Sequence, residues 1–333
     1  MFSKDIGIDL GTANVLIHLK GKGIVLNEPS VVAIEKNTKK VLAVGEEARK
    51  MVGRTPGNII AIRPLKDGVI ADFDVTESML RYFISKLNIS GFMSKPRILI
   101  CCPTNITSVE QKAIREAAEK SGGSNVFLEE EPKVAAIGAG MDIFQPSGNM
   151  VIDIGGGTTD VAVLSMGDIV TSESIKVAGD LFDNDILQYI KKTYKLLIGE
   201  RTAENIKIEI GTVYPEDRDE SMEIRGRDLV TGLPRTIEIH SHEIEKALHE
   251  SVALIVQSAK NVLEKTPPEL SADIIDRGVM VTGGGALLHG LDHLLTDELK
   301  VPVFIAENPM NCVAIGTGVM LENIDKAPKN RKK

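Results

Sequence analysis

The sequence predicts an α/β fold made of two similar lobes. Strand patterns are followed by helix patterns along most of the chain, which is typical of layered α/β proteins. An apolar strand that ends in a turn containing Asp and Gly occurs twice, at residues 8–14 and 152–160. With a two-residue gap, the copies align Asp9 with Asp153, Gly11 with Gly155, Thr12 with Thr158 and Asn14 with Asp160. Because this spacing is too long for a solenoid repeat, it indicates two related domains.

Length and composition agree with this prediction. The 333 residues are enough for about two domains, and 43% hydrophobic with 26% charged residues is ordinary for a globular protein. The net charge of −8 gives no indication of nucleic-acid binding. Three cysteines, with Cys101 and Cys102 adjacent, form no disulfide or metal-binding pattern, so we expect a reducing cytoplasm. Neither a signal peptide nor a membrane span is predicted.

The domain boundaries follow from the two copies and the segments between them. Residues 1–28 and 70–145 are the predicted core of lobe I, with residues 29–69 as its insertion. Residues 146–180 and 241–322 are the predicted core of lobe II, with residues 181–240 as its insertion. Residues 323–333 form a basic tail, for which a solvated end and a contact with anionic lipid both fit.

The elements of lobe I are predicted in order from apolar periodicity and turn residues. Strands are expected at residues 5–10, 30–35, 40–44, 95–102 and 126–128, a short helix at 46–51, and a Pro- and Gly-containing loop at 53–63. Capping boxes at Asp74–Glu77 and Thr107–Glu110 each predict the start of a helix. Pro132 predicts a further helix that begins at this residue and runs to Gly140.

Lobe II is predicted to repeat this order. A hairpin is expected at residues 150–170, strands at 171–177, 206–213, 221–225, 235–239, 278–282 and 301–305, and helices at 182–194, 241–264 and 313–322. The long helix at 241–264 is expected to stop at Pro267 and Pro268.

The two glycine turns have the chemistry of phosphate-binding loops. We call residues 9–14 the first glycine turn and residues 153–160 the second glycine turn. Glycine lets backbone N–H groups approach an anion, and threonine adds hydroxyl donors; the candidates are Gly11, Thr12, Ala13, Asn14, Gly155, Gly156, Gly157, Thr158 and Thr159. The neighbouring aspartates repel phosphate, so Mg²⁺ is their expected ligand. Ordinary β-hairpin turns are the alternative for a single copy.

Three further segments carry candidate site residues. They are Gly283, Gly284, Gly285 and Ala286 after an apolar strand, the pair Glu204 and Lys207, and the acidic run Glu129, Glu130 and Glu131 before Pro132. The glycines allow a ring or sugar to approach the backbone, although such strand ends are common. Both a surface ion pair and a ligand contact fit Glu204 and Lys207, which share a helical face. Both a solvated acidic turn and a water-orienting carboxylate fit Glu131.

Taken together and in this order, these segments resemble the ATPase superfamily of actin, sugar kinases and heat-shock chaperones. Within it the chain resembles the bacterial MreB family over its whole length, most specifically at residues 7–14, 27–32, 63–72 and 199–204. Residues 101–104 and the opening Met1-Phe2 are most similar to the MreB-like paralogue of Gram-positive rods. The resemblance implies a two-lobed actin-like ATPase fold, in which duplicated RNase H-like domains hold the nucleotide in the cleft between them.

The resemblance also implies a function and a set of roles. ATP and Mg²⁺ are the implied cofactors, with Glu131 positioning the attacking water and Asp9 and Asp160 holding the metal through waters. Glu204 and Lys207 are implied to contact ribose or adenine, residues 283–286 match the adenosine loop, and residues 131–140 and 314–318 match two hinge helices. The implied protein forms filaments with itself on the inner face of the cell membrane, in the cytoplasm. There it would organise the cell-wall elongation machinery and rod shape.

A membrane contact is expected in the loop at residues 89–94. Some relatives carry an amphipathic N-terminal helix, whereas the first strand predicted here starts almost at Met1. Phe92 and Met93 are large and apolar and lie in a predicted turn near Lys95 and Arg97, which suits an anionic membrane surface. Folding back of both side chains onto the lobe is the alternative.

Two other functions fit the same fold, because fold alone does not determine function. A small-molecule kinase would need a substrate base and a substrate pocket, and usually a longer chain. A peptide-binding chaperone would need a substrate domain after the last predicted helix, where only residues 323–333 remain.

Overall fold

The computed structural model describes residues 5–87, 96–214, 216 and 218–323. The chain divides into two compact units. The first contains the chain up to Pro146, Leu164–Ile169 and the chain from Met310 onward, and the second contains Ser147–Val163 and Val170–Pro309. Each unit has its own hydrophobic core, one built around the strand that begins at Ile6 and the other around the strand that contains Ile152.

The described chain contains both strands and helices, in groups of one to five strands followed by one or two helices. The strands are β1 (Ile6–Leu10), β2 (Asn14–Leu19), β3 (Gly23–Pro29), β4 (Val32–Glu35), β5 (Val41–Val44), β6 (Ile59–Ile62), β7 (Leu65–Lys66), β8 (Val69–Ile70), β9 (Arg97–Cys102), β10 (Asn125–Glu130), β11 (Asn149–Ile154), β12 (Thr159–Ser165), β13 (Asp168–Ile175), β14 (Leu196–Leu197), β15 (Ser221–Asp228), β16 (Pro234–His240), β17 (Val279–Thr282) and β18 (Val303–Ile305). The helices are α1 (Glu46–Arg49), α2 (Phe73–Lys86), α3 (Ser108–Lys120), α4 (Glu131–Gly138), α5 (Gly179–Tyr194), α6 (Glu200–Ile210), α7 (Ser241–Lys265), α8 (Pro268–Arg277), α9 (Leu291–Leu299) and α10 (Cys312–Asn323).

The two main sheets have the same strand order. One is β3-β2-β1-β9-β10 and the other is β13-β12-β11-β17-β18, so that corresponding strands have the same place in each sheet. In each, the first strand of the opening hairpin is central and a later strand lies parallel beside it, β9 next to β1 and β17 next to β11. The outermost strands β10 and β18 are also parallel to their neighbours. The predicted duplication is therefore present in the topology.

The helices α2 and α3 begin at side-chain caps. Thr107 and Glu110 form the predicted capping box of α3. For α2 the predicted box at Asp74–Glu77 is wrong, because Asp72 is the N-cap and accepts a hydrogen bond from the Val75 N–H at 3.1 Å. Both aspartates are good caps by type, so the sequence pattern placed the helix start two residues too late.

The insertion of the first unit contains a strand that the sequence pattern missed. Residues 53–63 were expected to be a loop, but β6 pairs antiparallel with β4, with Val32 opposite Ile62 and Glu35 opposite Ile59. The Pro56-Gly57 pair marks only the turn before the strand. A small cluster of Val31, Ala33 and Ala48 forms a separate core here.

In the insertion of the second unit, the predicted strand at residues 206–213 is wrong. The helix α6 occupies most of this segment, and Ala203, Ile206 and Ile210 are buried at helical spacing. The abundance of β-branched residues favoured a strand, but the three- and four-residue spacing of the buried side chains determines the helix. The helix α8 was not predicted either, because Pro267 and Pro268 indicated only the end of α7, whereas Pro267 is also the N-cap of α8 and Pro268 its first residue.

The final helix α10 packs within the first unit, although the sequence analysis grouped it with the core of lobe II. It crosses α4 at contacts that only glycine permits. A Cβ at Gly138 would overlap the carbonyl of Cys312, and a Cβ at Gly316 would overlap the carbonyl of Val134. The two segments that the resemblance identified as hinge helices are thus in direct contact.

Candidate functional site

The first glycine turn is held in shape by Ser30. The fully buried Ser30 hydroxyl donates to the Gly11 carbonyl at 2.6 Å, and the Ser30 N–H donates to the Ala13 carbonyl at 2.9 Å. A Cβ at position 11 would lie 2.7 Å from the Asn14 carbonyl oxygen, so the tight turn requires glycine there. Two carbonyls of the turn are therefore satisfied by the chain itself, and the turn is fixed before any ligand binds.

The polar side chains of this turn also have partners. The Thr12 hydroxyl accepts a hydrogen bond from the Gly68 N–H at 3.0 Å, which leaves its own proton for a second partner such as a phosphate oxygen. The Asn14 amide donates to the Asn27 side-chain oxygen at 3.1 Å. Thr12 thus keeps a donor, whereas the Asn14 amide group is engaged on the neighbouring strand β3.

Asp9 and Glu131 approach the same buried thiol. Burial raises the pKa of Cys101 well above its ordinary value, and the charges of Asp9 and Glu131 raise it further. Asp9 lies on β1, Cys101 on β9, and Glu131 at the start of α4, which directly follows β10. The three strands are adjacent in the order β10-β9-β1. The sheet therefore brings two of the predicted site carboxylates to one place.

The three carboxylates before Pro132 have different surroundings. Glu129 forms an ion pair with the buried Lys133 at 3.3 Å, and Lys133 also lies 3.6 Å from Asp168. Glu130 is exposed, whereas Glu131 is half-buried in the first turn of α4. Glu129 is thus tied to Lys133, whereas Glu131 is the acid of the run that begins α4.

The second glycine turn is fastened to the start of α5. Within the turn, the Gly155 N–H donates to the Thr158 carbonyl at 2.9 Å. The Gly179 N–H donates to the Gly155 carbonyl at 3.2 Å, and the Asp180 N–H donates to the Gly156 carbonyl at 2.8 Å. The orientation of this turn therefore depends on where α5 begins.

Thr159 does not have the role that the sequence predicts for it. Its fully buried hydroxyl donates to the Val177 carbonyl at 2.6 Å. Because a hydroxyl carries one proton, Thr159 supports the turn from behind and has no donor left for phosphate. Thr158 is 8% exposed and lies between the glycines and this anchored residue.

Asp153 and Asp160 bring two carboxyl groups into the core of the second unit. Asp160 is 1% exposed, and Asp153 accepts a hydrogen bond from the Thr282 hydroxyl at 2.7 Å. Burial raises the pKa of Asp153 to about 6, the Thr282 hydrogen bond opposes that shift, and the charge of Asp160 adds to it. Two buried carboxyls so close together suit a bound cation, which would offset their repulsion.

Glu204 and Lys207 lie half-buried on one face of α6, as predicted. The Lys207 ammonium lies 2.8 Å from Asp183 and donates to the Gly179 carbonyl at 3.0 Å. Burial raises the pKa of Asp183 to about 6, Lys207 opposes this shift, and Glu204 and Asp180 add to it. The pair is therefore part of a charged cluster that reaches the start of α5, and is not a surface ion pair.

The glycines after β17 have a packing role. A Cβ at Gly283, whose φ is +80°, would overlap the Ile154 carbonyl, and a Cβ at Gly285 would overlap the Ile154 side chain. Gly284 is exposed and Ala286 is buried. Gly284 is thus the most exposed residue of this segment, while Gly283 and Gly285 pack closely against the strand that leads into the second glycine turn.

Two absences concern the described residues. Among residues 5–87, 96–214, 216 and 218–323, no group of three or more His, Cys, Asp or Glu side chains could hold a metal ion. A site with few carboxylates and several waters, as Mg²⁺ prefers, does not need such a group. In the same part of the chain no helix is long and apolar enough to cross a membrane. Phe92 and Met93 lie outside the described residues.

Sequence reasoning missed several residues that shape the site. They are Ser30 in the bend between β3 and β4, Asp183 on α5 and Thr282 at the end of β17. Ser30 lies within a run that carries the family resemblance, but no local pattern marks a serine whose hydroxyl bonds to a carbonyl 19 residues away. A single buried Asp on a helix, such as Asp183, was detectable only as an acid on the apolar face of α5.

The chain is similar to known proteins over nearly its whole length. Residues 3–329 match the family model described as MreB/Mbl protein. The chain is 79% identical to the cell shape-determining protein Mbl of Bacillus cereus over 99% of both chains. It is 54% identical to the cell shape-determining protein MreB of Escherichia coli over 98% of this chain and 95% of the relative. The crystal structure of MreB 5 of Spiroplasma citri bound to AMPPNP has 43% identity and a TM-score of 0.94, and covers 98% of both chains.

Proposed function

The chain belongs to the MreB/Mbl family, and we propose that it is an ATP-dependent filament protein that determines cell shape from the inner face of the cell membrane. Its similarity is greater to Mbl than to MreB, which supports the predicted MreB-like paralogue. The fold is the actin-like ATPase fold. The observation that carries the proposal is that two glycine turns, each fixed by hydrogen bonds, stand at the same position in two sheets of equal strand order.

We assign ATP to these turns because of the donors that they leave free. The carbonyls of Gly11, Ala13, Gly155 and Gly156 accept hydrogen bonds from the chain itself. We assign to the phosphate oxygens the proton of the Thr12 hydroxyl and the N–H groups of the turns other than that of Gly155, which donates to the Thr158 carbonyl. Gly284 and the exposed side of its segment suit the nucleoside. The S. citri relative was crystallised with AMPPNP and with ADP, which supports an adenine nucleotide here.

Hydrolysis is assigned to Glu131. Phosphoryl transfer depends on positioning and electrostatic stabilisation, and Glu131 is a half-buried carboxylate at the start of α4 whose charge, like that of Asp9, acts on the buried Cys101 thiol. Its role is to orient a water for attack on the terminal phosphate. Asp9 and the buried Asp160 are the proposed Mg²⁺ residues, through waters, and the ion would supply charge neutralisation at the phosphates.

Filament formation, membrane contact and work with the cell-wall elongation machinery belong to the same proposal. The relatives named above are called cell shape-determining proteins, and a protein that imposes shape on a cell must act over distances far longer than one chain. A heterologous contact between copies generates such a filament when its rotation does not close. Phe92 and Met93 remain the proposed membrane contact.

The first prediction tests Glu131. Glu131→Ala should slow phosphate release about 100-fold or more, since a positioned acid–base group contributes about that much. ATP should still bind, and filaments should still sediment with ATP. The measurements are phosphate release, nucleotide binding and pelleting. Glu130→Ala is the matched control, because this exposed neighbour should leave all three unchanged.

The outcomes also separate the competing functions. A rate for Glu131→Ala equal to that of the parent would remove Glu131 from the mechanism. A parent protein that stays soluble with Mg²⁺ and ATP, while it phosphorylates a small molecule, would favour the kinase.

A further inference from the structure

We propose that Asp183 is a positioning residue, which holds the Lys207 ammonium against the Gly179 carbonyl and so fixes the helix start that supports the second glycine turn. The proposal rests on the nucleotide site argued above. It gives Lys207 a role toward the phosphates, in addition to the ribose or adenine contact implied by the resemblance.

The first step is the contact between two helices. Lys207 lies on α6, in the insertion, and Asp183 lies one turn into α5. The Lys207 Nζ is 2.8 Å from the Asp183 Oδ1 and 3.0 Å from the Gly179 carbonyl oxygen. One ammonium group therefore bridges two acceptors of α5 that are four residues apart, on one face of the helix.

The second step connects this bridge with the glycine turn. Gly179 donates its N–H to Gly155, and Asp180 donates to Gly156. A Cβ at Gly179 would lie 3.4 Å from the Gly155 carbonyl oxygen and 3.5 Å from the Lys207 Nζ, which are ordinary contact distances, so Gly179 lies between the turn and the ammonium. A displacement of Lys207 would therefore reach the turn through the first two residues of α5, Gly179 and Asp180.

The third step is energetic. Asp183 is only 9% exposed, and Glu204 and Asp180 also bear negative charge beside it. A buried carboxylate in such surroundings needs its cation, and removal of one partner leaves the other buried without compensation. The ion pair of Asp183 and Lys207 therefore has one favoured arrangement, as is required of a contact that positions other residues.

The test compares ligands that differ only in their phosphates. Asp183→Asn should raise the dissociation constant of ADP about tenfold, as loss of a supporting contact behind a binding group does, while that of adenosine changes less than about twofold. A pair that acts only on the nucleoside would weaken both ligands equally, and this result would overturn the proposal. Asp185→Asn is the matched control, since this acid on the same helix bonds to Ser251 instead.

A double variant covers the case in which Asp183→Asn does not fold, since it can then be compared with Lys207→Met alone. Asp183→Asn with Lys207→Met removes both charges and leaves neither one buried alone. We expect the double variant to lose ADP affinity by the same factor as the weaker-binding single variant, because both act through one contact. Additive losses, or a folded variant at either position with the parent's ADP affinity, would overturn the proposal. Failure of the parent itself to bind ADP would instead refute the proposed function.

Discussion

The two glycine turns occupy equivalent positions in sheets of the same strand order, yet different parts of the chain hold them. The first is stapled by Ser30 and Gly68, which belong to the insertion and its edges. The second is backed by the core strand β17 through Thr282 and by the start of α5 through Gly179. Their acids also differ, since Asp9 is half-buried and Asp153 is 6% exposed.

This difference shows how a duplicated motif diverges. Both turns fold back on a later carbonyl, and a Cβ would lie 2.7 Å from that of Asn14 at Gly11 but 3.3 Å from that of Thr158 at Gly155, so the steric demand for glycine is strict in the first turn and weaker in the second. The supporting contacts are not constrained in the same way. Any donor at the right distance can hold a carbonyl, so each unit supports its turn with whatever its own insertion and core provide.

The largest expected effect is on the free energy of unfolding and concerns the close packing of Gly283 against Ile154, which ends the strand before the second glycine turn. Gly283→Ala places a methyl group against the Ile154 carbonyl and forces a positive φ on alanine, at a combined cost of about 2–5 kcal/mol in unfolding free energy. Denaturant unfolding measures this cost. Gly140→Ala is the control, since its φ is +81° but no atom of the described residues lies within 4 Å of an added Cβ, and it should lose only about 1–2 kcal/mol. Equal losses would mean that close packing at Gly283 does not support the turn.

The next effect concerns the buried acid of the second turn. Asp153 binds its proton more tightly in the folded chain than in the unfolded chain, so its contribution to stability is greatest below pH 4 and is lost as the pH rises through about 6. The loss of unfolding free energy is about 2–3 kcal/mol. In buffer without nucleotide or Mg²⁺, Asp153→Asn should remove this contribution to the pH dependence of the unfolding free energy between pH 4 and pH 7. Unfolding curves that keep the parent's slope would show that Asp153 is not the titrating group.

The smallest expected effect comes from removing one hydroxyl near each turn, that of Ser30 or that of Thr159. Ser30→Ala and Thr159→Val each delete a buried hydroxyl that donates to a carbonyl, of Gly11 in the first turn and Val177 in the second. Each should cost about 1–3 kcal/mol, because the carbonyl is left unsatisfied. Only Ser30→Ala acts on a carbonyl of the turn itself, so it should weaken ATP binding more than Thr159→Val does. The reverse order in a binding titration would contradict the difference between the turns.

Much of the fold was predictable because its signals are local. The capping box at Thr107, the glycine turns and the long apolar face of α7 were readable from spacing alone. The strand β6 and the helix α6 were not, since short apolar runs fit both states until a partner decides between them. Ile59–Ile62 is a strand because β4 pairs with it. The buried spacing of Ala203, Ile206 and Ile210 makes α6 a helix.

The sequence alone determined the duplication, the two glycine turns, the family and the acidic run that contains Glu131. These features depend on residue type and spacing, so they can be recognised without a structure. Tertiary structure alone decided that Glu129 pairs with Lys133, that the Thr159 hydroxyl donates to the Val177 carbonyl, and that Lys207 bridges Asp183 and Gly179. The reason is physical: a hydrogen bond or ion pair depends on distances of about 3 Å, and residues far apart in the chain reach such distances only when strands and helices pack.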